Sequence, residues 1–240
     1  MTAQEYSAEG VRSANLEVTL CGQDKRETIL IGAHYDTVPH CPGADDNASG
    51  IAVLLELTRL LGTHKPPCNL RFVAFVNEEA PFFYTRSQGS RVYAQAARRR
   101  RDRIRFMLSL EMLGYYRDAP GSQQYPPLFR YFYPNQANFV ALVSNFRSRQ
   151  EMRALAAAFR AASRFPLEHV ATFSWIPGVA WSDHLSFWRE GYRALMLTDT
   201  AFFRNPHYHQ ATDTPETLDY PRMAAVTTGL AGAFDRLAGA

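Results

Sequence analysis

Apolar residues along this chain collect into buried-looking runs separated by stretches of helical spacing. Residues 28–33 form one continuous run, the pattern of a strand covered on both faces. A second, at 70–76, is interrupted only by Arg71; the others fall at 104–110 and 193–197. Weaker strand signals lie at 16–20, 138–143 and 169–173. Between them Val53, Leu54, Leu57, Leu60 and Leu61 recur at helical spacing, predicting a helix from about Ser49 that Gly62 stops. Further helices are predicted over 89–99, 150–162, 183–190 and 221–237, the last with Pro221 in its first turn. Residues 1–15 are polar and expected to be loose, and 114–134 reads as a long surface excursion. Strands alternating with helices predict an α/β fold, a three-layer α/β/α sandwich around a mixed, mainly parallel sheet. No repeat or linker divides the sequence, so residues 1–240 are expected to form one domain.

Composition narrows this picture only slightly. With 46% hydrophobic and 20% charged residues the chain has the balance of a folded protein. A formal net charge of +3 gives no reason to expect a nucleic-acid partner. Cys21, Cys41 and Cys68 leave at least one thiol unpaired and lack zinc-finger spacing. The opening MTAQEYSAEG has neither a basic start nor an apolar core, and no apolar run reaches the length of a membrane span. Together these slightly favour the cytoplasm and no membrane partner, with a mature exported form left open. The oligomeric state is not legible.

Candidate chemistry sits at the ends of the apolar runs. The run at 28–33 stops at His34-Tyr35-Asp36, and a Pro- and Gly-broken loop then delivers Asp45-Asp46. The run at 70–76 leads into Glu78-Glu79, the run at 104–110 ends at Glu111, and the run at 193–197 feeds a loop with His207 and His209. In a parallel sheet these ends share one edge, where α/β folds place their ligands. Imidazoles mixed with carboxylates are a donor set for a first-row metal, zinc above all. Taken singly, a Glu-Glu pair is ordinarily a solvated loop edge, and a histidine in a polar loop is ordinarily exposed. The coincidence of four strand ends carries the metal reading. Ser182-Asp183-His184 has the letters of a triad, but adjacent residues cannot array nucleophile, base and orienter, and no G-x-S-x-G accompanies them. H-E-x-x-H, P-loop and G-x-G-x-x-G patterns are also absent from the sequence. His40 and Cys41 are expected to be exposed, and the basic run Arg98 to Arg101 with Arg103 to be a solvated helix end.

The ordered motifs GAHYDTV, GADDNASG, FVNEEAPFF, SLEMLGYY and HYHQATDTPETLD resemble those of the co-catalytic zinc aminopeptidases. This is the bacterial leucyl aminopeptidase type, related to the glutaminyl cyclases and to the glutamate carboxypeptidase and transferrin-receptor group. The resemblance spans roughly residues 28–237. It implies two zinc ions per chain, one held by His34 and Glu111 and one by Glu79 and His209, with Asp46 bridging. It implies that Asp36 accepts the second ring N–H of His34, that Asp46-Asn47 is a cis peptide, and that Glu78 is the general base. Tyr208 would hydrogen-bond the oxyanion, and Asp183 and His184 would lie beneath the metal edge. The substrate would be a peptide or aminoacyl compound cut at its N-terminal bond. Phe82, Phe83, Phe173, Trp175, Phe202 and Phe203 are candidates to wall a pocket for its first side chain, with ordinary packing as the alternative. One departure is Glu111, where many members of the family have Asp, which alters the geometry of that ligand position. The alternatives are a single-zinc glutaminyl-peptide cyclotransferase, a carboxypeptidase or amidohydrolase on the same fold, and a binding module whose site has decayed.

Overall fold

The computed structural model describes residues 1–238. Eight strands form one sheet: β1 (Thr2–Ala8), β2 (Val11–Leu20), β3 (Asp24–His34), β4 (Cys68–Phe75), β5 (Ile104–Glu111), β6 (Val140–Ser144), β7 (Leu167–Ala171) and β8 (Ala194–Thr198). Their spatial order is β1-β2-β4-β3-β5-β8-β6-β7. The central four, β4, β3, β5 and β8, run parallel. β2 is antiparallel to β4, β6 is antiparallel to β8, and β7 follows β6 in parallel. The helices are α1 (Gly50–Leu61), α2 (Gly89–Arg100), α3 (Arg149–Ala162), α4 (His184–Arg189) and α5 (Tyr220–Ala238).

The four strands read as unbroken apolar runs are the four at the centre, because each packs a layer on both sides. Ile29, Ile31, Phe106 and Leu108 point to the thicker layer, with Leu57 of α1, Phe159 of α3 and Phe234 of α5. Leu30, Val73 and Met107 point the other way, onto Tyr93 of α2 and Phe187 of α4. Arg71, the one interruption, ion-pairs Asp102 at 2.8 Å and donates to the Tyr93 hydroxyl at 3.1 Å. On this second side α4 has six residues and packs on β5 and β8. Over β6 and β7 loop residues take the place of a helix, and Val179 packs there on Ala141, Val143 and Met196.

Three expectations need correction. Residues 1–15 are not loose: β1 and β2 form an antiparallel hairpin from Thr2↔Glu17 to Ala8↔Val11. Its turn places Glu9 and Gly10 at φ 49° and 86°, the conformation favoured by two-residue hairpins. Asn15, fully buried, fastens it by donating to Gln4 Oε1 (2.8 Å) and the Gly89 carbonyl (2.9 Å) while accepting the Val76 N–H (3.2 Å). His40 is exposed as expected, but Cys41 is buried. The excursion at 114–134 begins in the core, where Tyr115 and Tyr116 are buried.

Candidate metal centre

The parallel ladder ends where Tyr35 donates its N–H to the Phe75 carbonyl at 2.9 Å. His34, just before it, shares the face of Leu30 and Gly32, and its ring is almost wholly buried. The loop that follows returns Asp45 and Asp46 under the same edge. Asp213 holds them there, its carboxylate accepting the N–H groups of Asp45 (2.9 Å) and Asp46 (3.1 Å). The Asp46–Asn47 peptide is cis, as the resemblance implied. Asn47 clasps the loop to the end of β5, donating to the Leu110 carbonyl (2.9 Å) and accepting the Met112 N–H (3.0 Å).

Glu78 and Glu79 are set by Asp36, whose carboxylate accepts both of their backbone N–H groups, at 3.1 and 3.0 Å. His34 Nδ1 lies 3.1 Å from the Asp36 main-chain carbonyl and 3.7 Å from its carboxylate. The main-chain oxygen is therefore the atom placed to fix the imidazole tautomer, and the carboxylate's nearer partners are the glutamate amides.

Around Asp46 the donor atoms converge. Its Oδ1 lies 3.3 Å from His34 Nε2, and its Oδ2 lies 3.1 Å from His209 Nε2. His34 Nε2 is also 3.6 Å from Glu111 Oε1, and His209 Nε2 is 3.3 Å from Glu79 Oε1. Two ligands on one tetrahedral zinc stand about 3.3 Å apart; the imidazole–carboxylate distances are close to that, and the donor atoms of each trio all lie within 4.8 Å of one another. The buried Asp46 Oδ1 also lacks a hydrogen-bond partner, which suits an oxygen aimed at a cation. The residues present fit two ions that share Asp46.

The electrostatics agree with that use. Burial opposes a charged imidazole at His34, yet Glu111 and Asp46 outweigh it and raise the group well above its ordinary value. Hydrogen bonds to Asp46 and Glu79 lift His209 to about 10. Burial works against ionisation of Asp46, but His209 and His34 bring it down to about 2. Burial raises Glu78 strongly, with His34 opposing and Glu111 adding to it, and burial likewise raises Glu111. Without cations the cluster holds protons, and cations would displace them.

The structure distributes the remaining candidates. Glu78 Oε2 is 4.0 Å from His34 Nε2, and its Oε1 is buried without a hydrogen-bond partner. Tyr208 stacks on His209 with ring centroids 3.8 Å apart. His207 turns away, toward Thr212 Oγ1 at 2.9 Å and the Tyr115 ring. The Ser182 hydroxyl donates to Glu111 Oε2 at 2.6 Å and lies 2.8 Å from Ser109 Oγ. Asp183 is fully buried, its carboxylate without hydrogen-bond partners, and burial pushes it up to about 7. His184 hydrogen-bonds the Val179 carbonyl at 2.8 Å and packs edge-on against Trp188, outside the donor set. Of the six loop aromatics, Phe202 and Phe203 line a cavity beside Glu111 and Tyr208. Phe173 and Trp175 stack on each other in the open, and Phe83 packs on Tyr84. Sequence reasoning assigned no role to Asn47 or Ser182 in holding the ligands, and Asp213 entered only as part of a motif. Polar side chains that serve main-chain groups leave no periodic signal.

A mixed sheet whose parallel strand ends gather imidazoles and carboxylates around one aspartate is the framework of the zinc-exopeptidase-like α/β/α sandwiches. The chain belongs to peptidase family M28, whose family model matches residues 15–233. It is 42% identical over 211 residues to the uncharacterized protein YfbL of Escherichia coli, covering 84% of this chain and 64% of that protein. A probable leucine aminopeptidase of Trichophyton verrucosum is 29% identical over 229 residues, covering 87% of this chain and 53% of the relative. Among solved structures, an aminopeptidase from Aneurinibacillus sp. strain AM-1 superposes with a TM-score of 0.68 at 25% identity, over 93% of this chain and 47% of the other. The chain thus spans between about half and two thirds of the length of these curated relatives.

Proposed function

We propose that this chain is an aminopeptidase, hydrolysing the N-terminal bond of peptides or aminoacyl compounds with two zinc ions. The observation that carries the reading is Asp46, whose two oxygens each face a different imidazole, each imidazole having a further carboxylate beside it. His34 and Glu111 would hold one ion, Glu79 and His209 the other, and Asp46 both. Bound there, zinc lowers the pKa of the attacking water and polarises the scissile carbonyl.

The chain's own residues supply the proton chemistry. Glu78 has a free, buried carboxylate oxygen and a main chain pinned by Asp36. It takes the proton from the attacking water and hands it to the leaving amine, as a general base and then acid. A carboxyl raised by burial is suited to both halves of that exchange. Tyr208 presents its hydroxyl beside the cluster, and burial and the surrounding carboxylates keep it protonated as a donor to the developing oxyanion. Ser182 and Asp36 hold Glu111 and the glutamate pair in place.

The test is metal content by mass spectrometry together with hydrolysis of aminoacyl-naphthylamides and their N-acetylated forms, before and after chelation. Two zinc ions per chain, chelator-sensitive turnover and rejection of acetylated substrates are expected. A stoichiometry near one, with pyroglutamate formed from an N-terminal glutamine, would replace this reading with that of a glutaminyl cyclase. No turnover of any aminoacyl substrate by the zinc-loaded protein would remove it.

A further inference from the structure

Beyond the metal centre the structure leaves one carboxylate unexplained. Register places Glu111 beside Thr198, Thr198 beside Ala141, and Ala141 beside Glu168, in one row across β5, β8, β6 and β7. Directly paired residues point to the same face of a sheet, and all four line the cavity that begins at Glu111 and Tyr208. That cavity, open at its mouth, has a volume of about 110 Å³, space for one side chain rather than for a whole ligand. Ala141, Val143 and Met196 form an apolar floor, and Tyr125, Phe129 and Tyr133 stand around the far end. Glu111 and Glu168 are the carboxylates lining it, one at each end of the row.

Glu168 is half-buried, and among the described residues its carboxylate has neither a hydrogen bond nor an ion pair, its main chain being paired in the β6–β7 ladder. Arg160, from α3 on the opposite layer, is the cation nearest in effect. It spends its guanidinium on the Leu167 carbonyl (2.7 Å) and His169 Nδ1 (3.2 Å) instead. A neutral side chain filling this cavity would cover Glu168 and leave its charge without a partner, which is unfavourable. A cationic one would pair with it, and the surrounding aromatic rings favour the same sign of charge.

Length agrees with the charge. Three strand spacings of about 4.8 Å put the two ends of the row about 14 Å apart. An extended arginine or lysine carries its charge about 6–7 Å from Cα, and a hydrogen bond adds about 3 Å. The reach of Glu168 itself closes the remainder. A leucine side chain ends far short of it.

We propose that Glu168 makes this cavity selective for a long cationic side chain, that of arginine or lysine, on the substrate's first residue. The proposal rests on the aminopeptidase reading for its substrate, and its test has an arm that does not. In the first arm, kcat/KM of the zinc-loaded protein is measured for arginyl-, lysyl- and norleucyl-naphthylamides. The basic substrates are expected to be preferred, and Glu168→Gln should lower the arginyl-to-norleucyl ratio about 10- to 100-fold, the worth of one charge-assisted hydrogen bond. Glu168→Lys should lower it further. In the second arm, n-butylguanidine binding is followed through the fluorescence of Trp181, which lines the cavity, with and without zinc. Binding should weaken by a similar factor in Glu168→Gln. An unchanged substrate ratio, or butylguanidine binding that ignores the substitution, overturns the proposal. Glu168-dependent butylguanidine binding without turnover of any substrate supports the cation site while removing the aminopeptidase reading.

Discussion

Zinc loading is expected to release at least two protons per chain at neutral pH. A histidine binds zinc only as the neutral imidazole. In the metal-free cluster Glu111 and Asp46 hold His34 protonated, and His209 stays charged up to about 10. At pH 7 each incoming ion must therefore displace one imidazole proton. The sign follows directly: as pH falls below the raised pKa values, protons compete better and zinc binds more weakly. One proton displaced per ion costs about 1.4 kcal/mol per pH unit. From pH 8 to pH 6 the apparent affinity at each position should thus fall about 100-fold, and more if Glu78 or Glu111 also yields a proton. Calorimetric titration in buffers of different ionisation enthalpy counts the protons, and competition with a chelator of known affinity gives the slope. His209→Gln should remove one ion and at least one of the protons together. Saturation at one zinc, or a total release clearly below two protons per chain, would refute the reasoning.

Three further outcomes follow from named contacts. Glu78→Gln should keep both zinc ions and lower kcat by about 10²- to 10⁴-fold; near-normal turnover with full metal would remove Glu78 as the base. Ser182→Ala deletes the 2.6 Å donor to Glu111 Oε2 and should weaken one of the two zinc sites about 10- to 100-fold while sparing the other, measured by stepwise chelator competition. His184 has its pKa lowered by burial from 6.5 to about 4, so the unfolded chain takes up the proton first as pH drops. Stability should then fall by up to about 3 kcal/mol between pH 6.5 and 4. Urea unfolding of His184→Gln, which keeps a donor for the Val179 carbonyl, should lack that increment; parallel pH profiles for the two proteins would contradict it.

The parts of this fold that were legible are those in which burial acts on both faces of a strand. β3, β4, β5 and β8 are the contiguous parallel centre of the sheet, and no alternation of polar and apolar residues disguises them. The β1–β2 hairpin escaped because its strands are largely solvent-facing and its Glu9-Gly10 turn lacks the usual Asn or Asp signal. What identifies Asn15 as structural is its partners in β1 and at Gly89 and Val76, none of which its local sequence reveals. Cys41 is buried because its loop folds inward ahead of Asp45 and Asp46, which Asp213 holds from far along the chain. Glu168 lies still further beyond a linear reading. One glutamate in a weak strand is a solvated edge until the register of β8, β6 and β7 places it in the same row as Glu111.

If Glu168 selects the substrate side chain as proposed, that row lets catalysis and selection change separately. The parallel strands can deliver ligands only at their carboxyl ends, so the metal donors crowd the edge above β3, β4 and β5. β6 runs the other way, so its first residues lie beside those same ends. With α3 packed on the opposite layer and α4 ending over β5 and β8, the floor above β6 and β7 is left to side chains and loops. A residue there can set how far a substrate side chain reaches without touching a metal ligand. Ala141 sits beside Glu168 in the row, and enlarging it to leucine would shorten the cavity ahead of Glu168. Zinc content should then be unchanged while arginyl turnover falls relative to that of a short side chain such as alanyl. Had Glu168 worked only by holding the sheet edge, filling the floor two strands from Glu111 would depress both substrates alike.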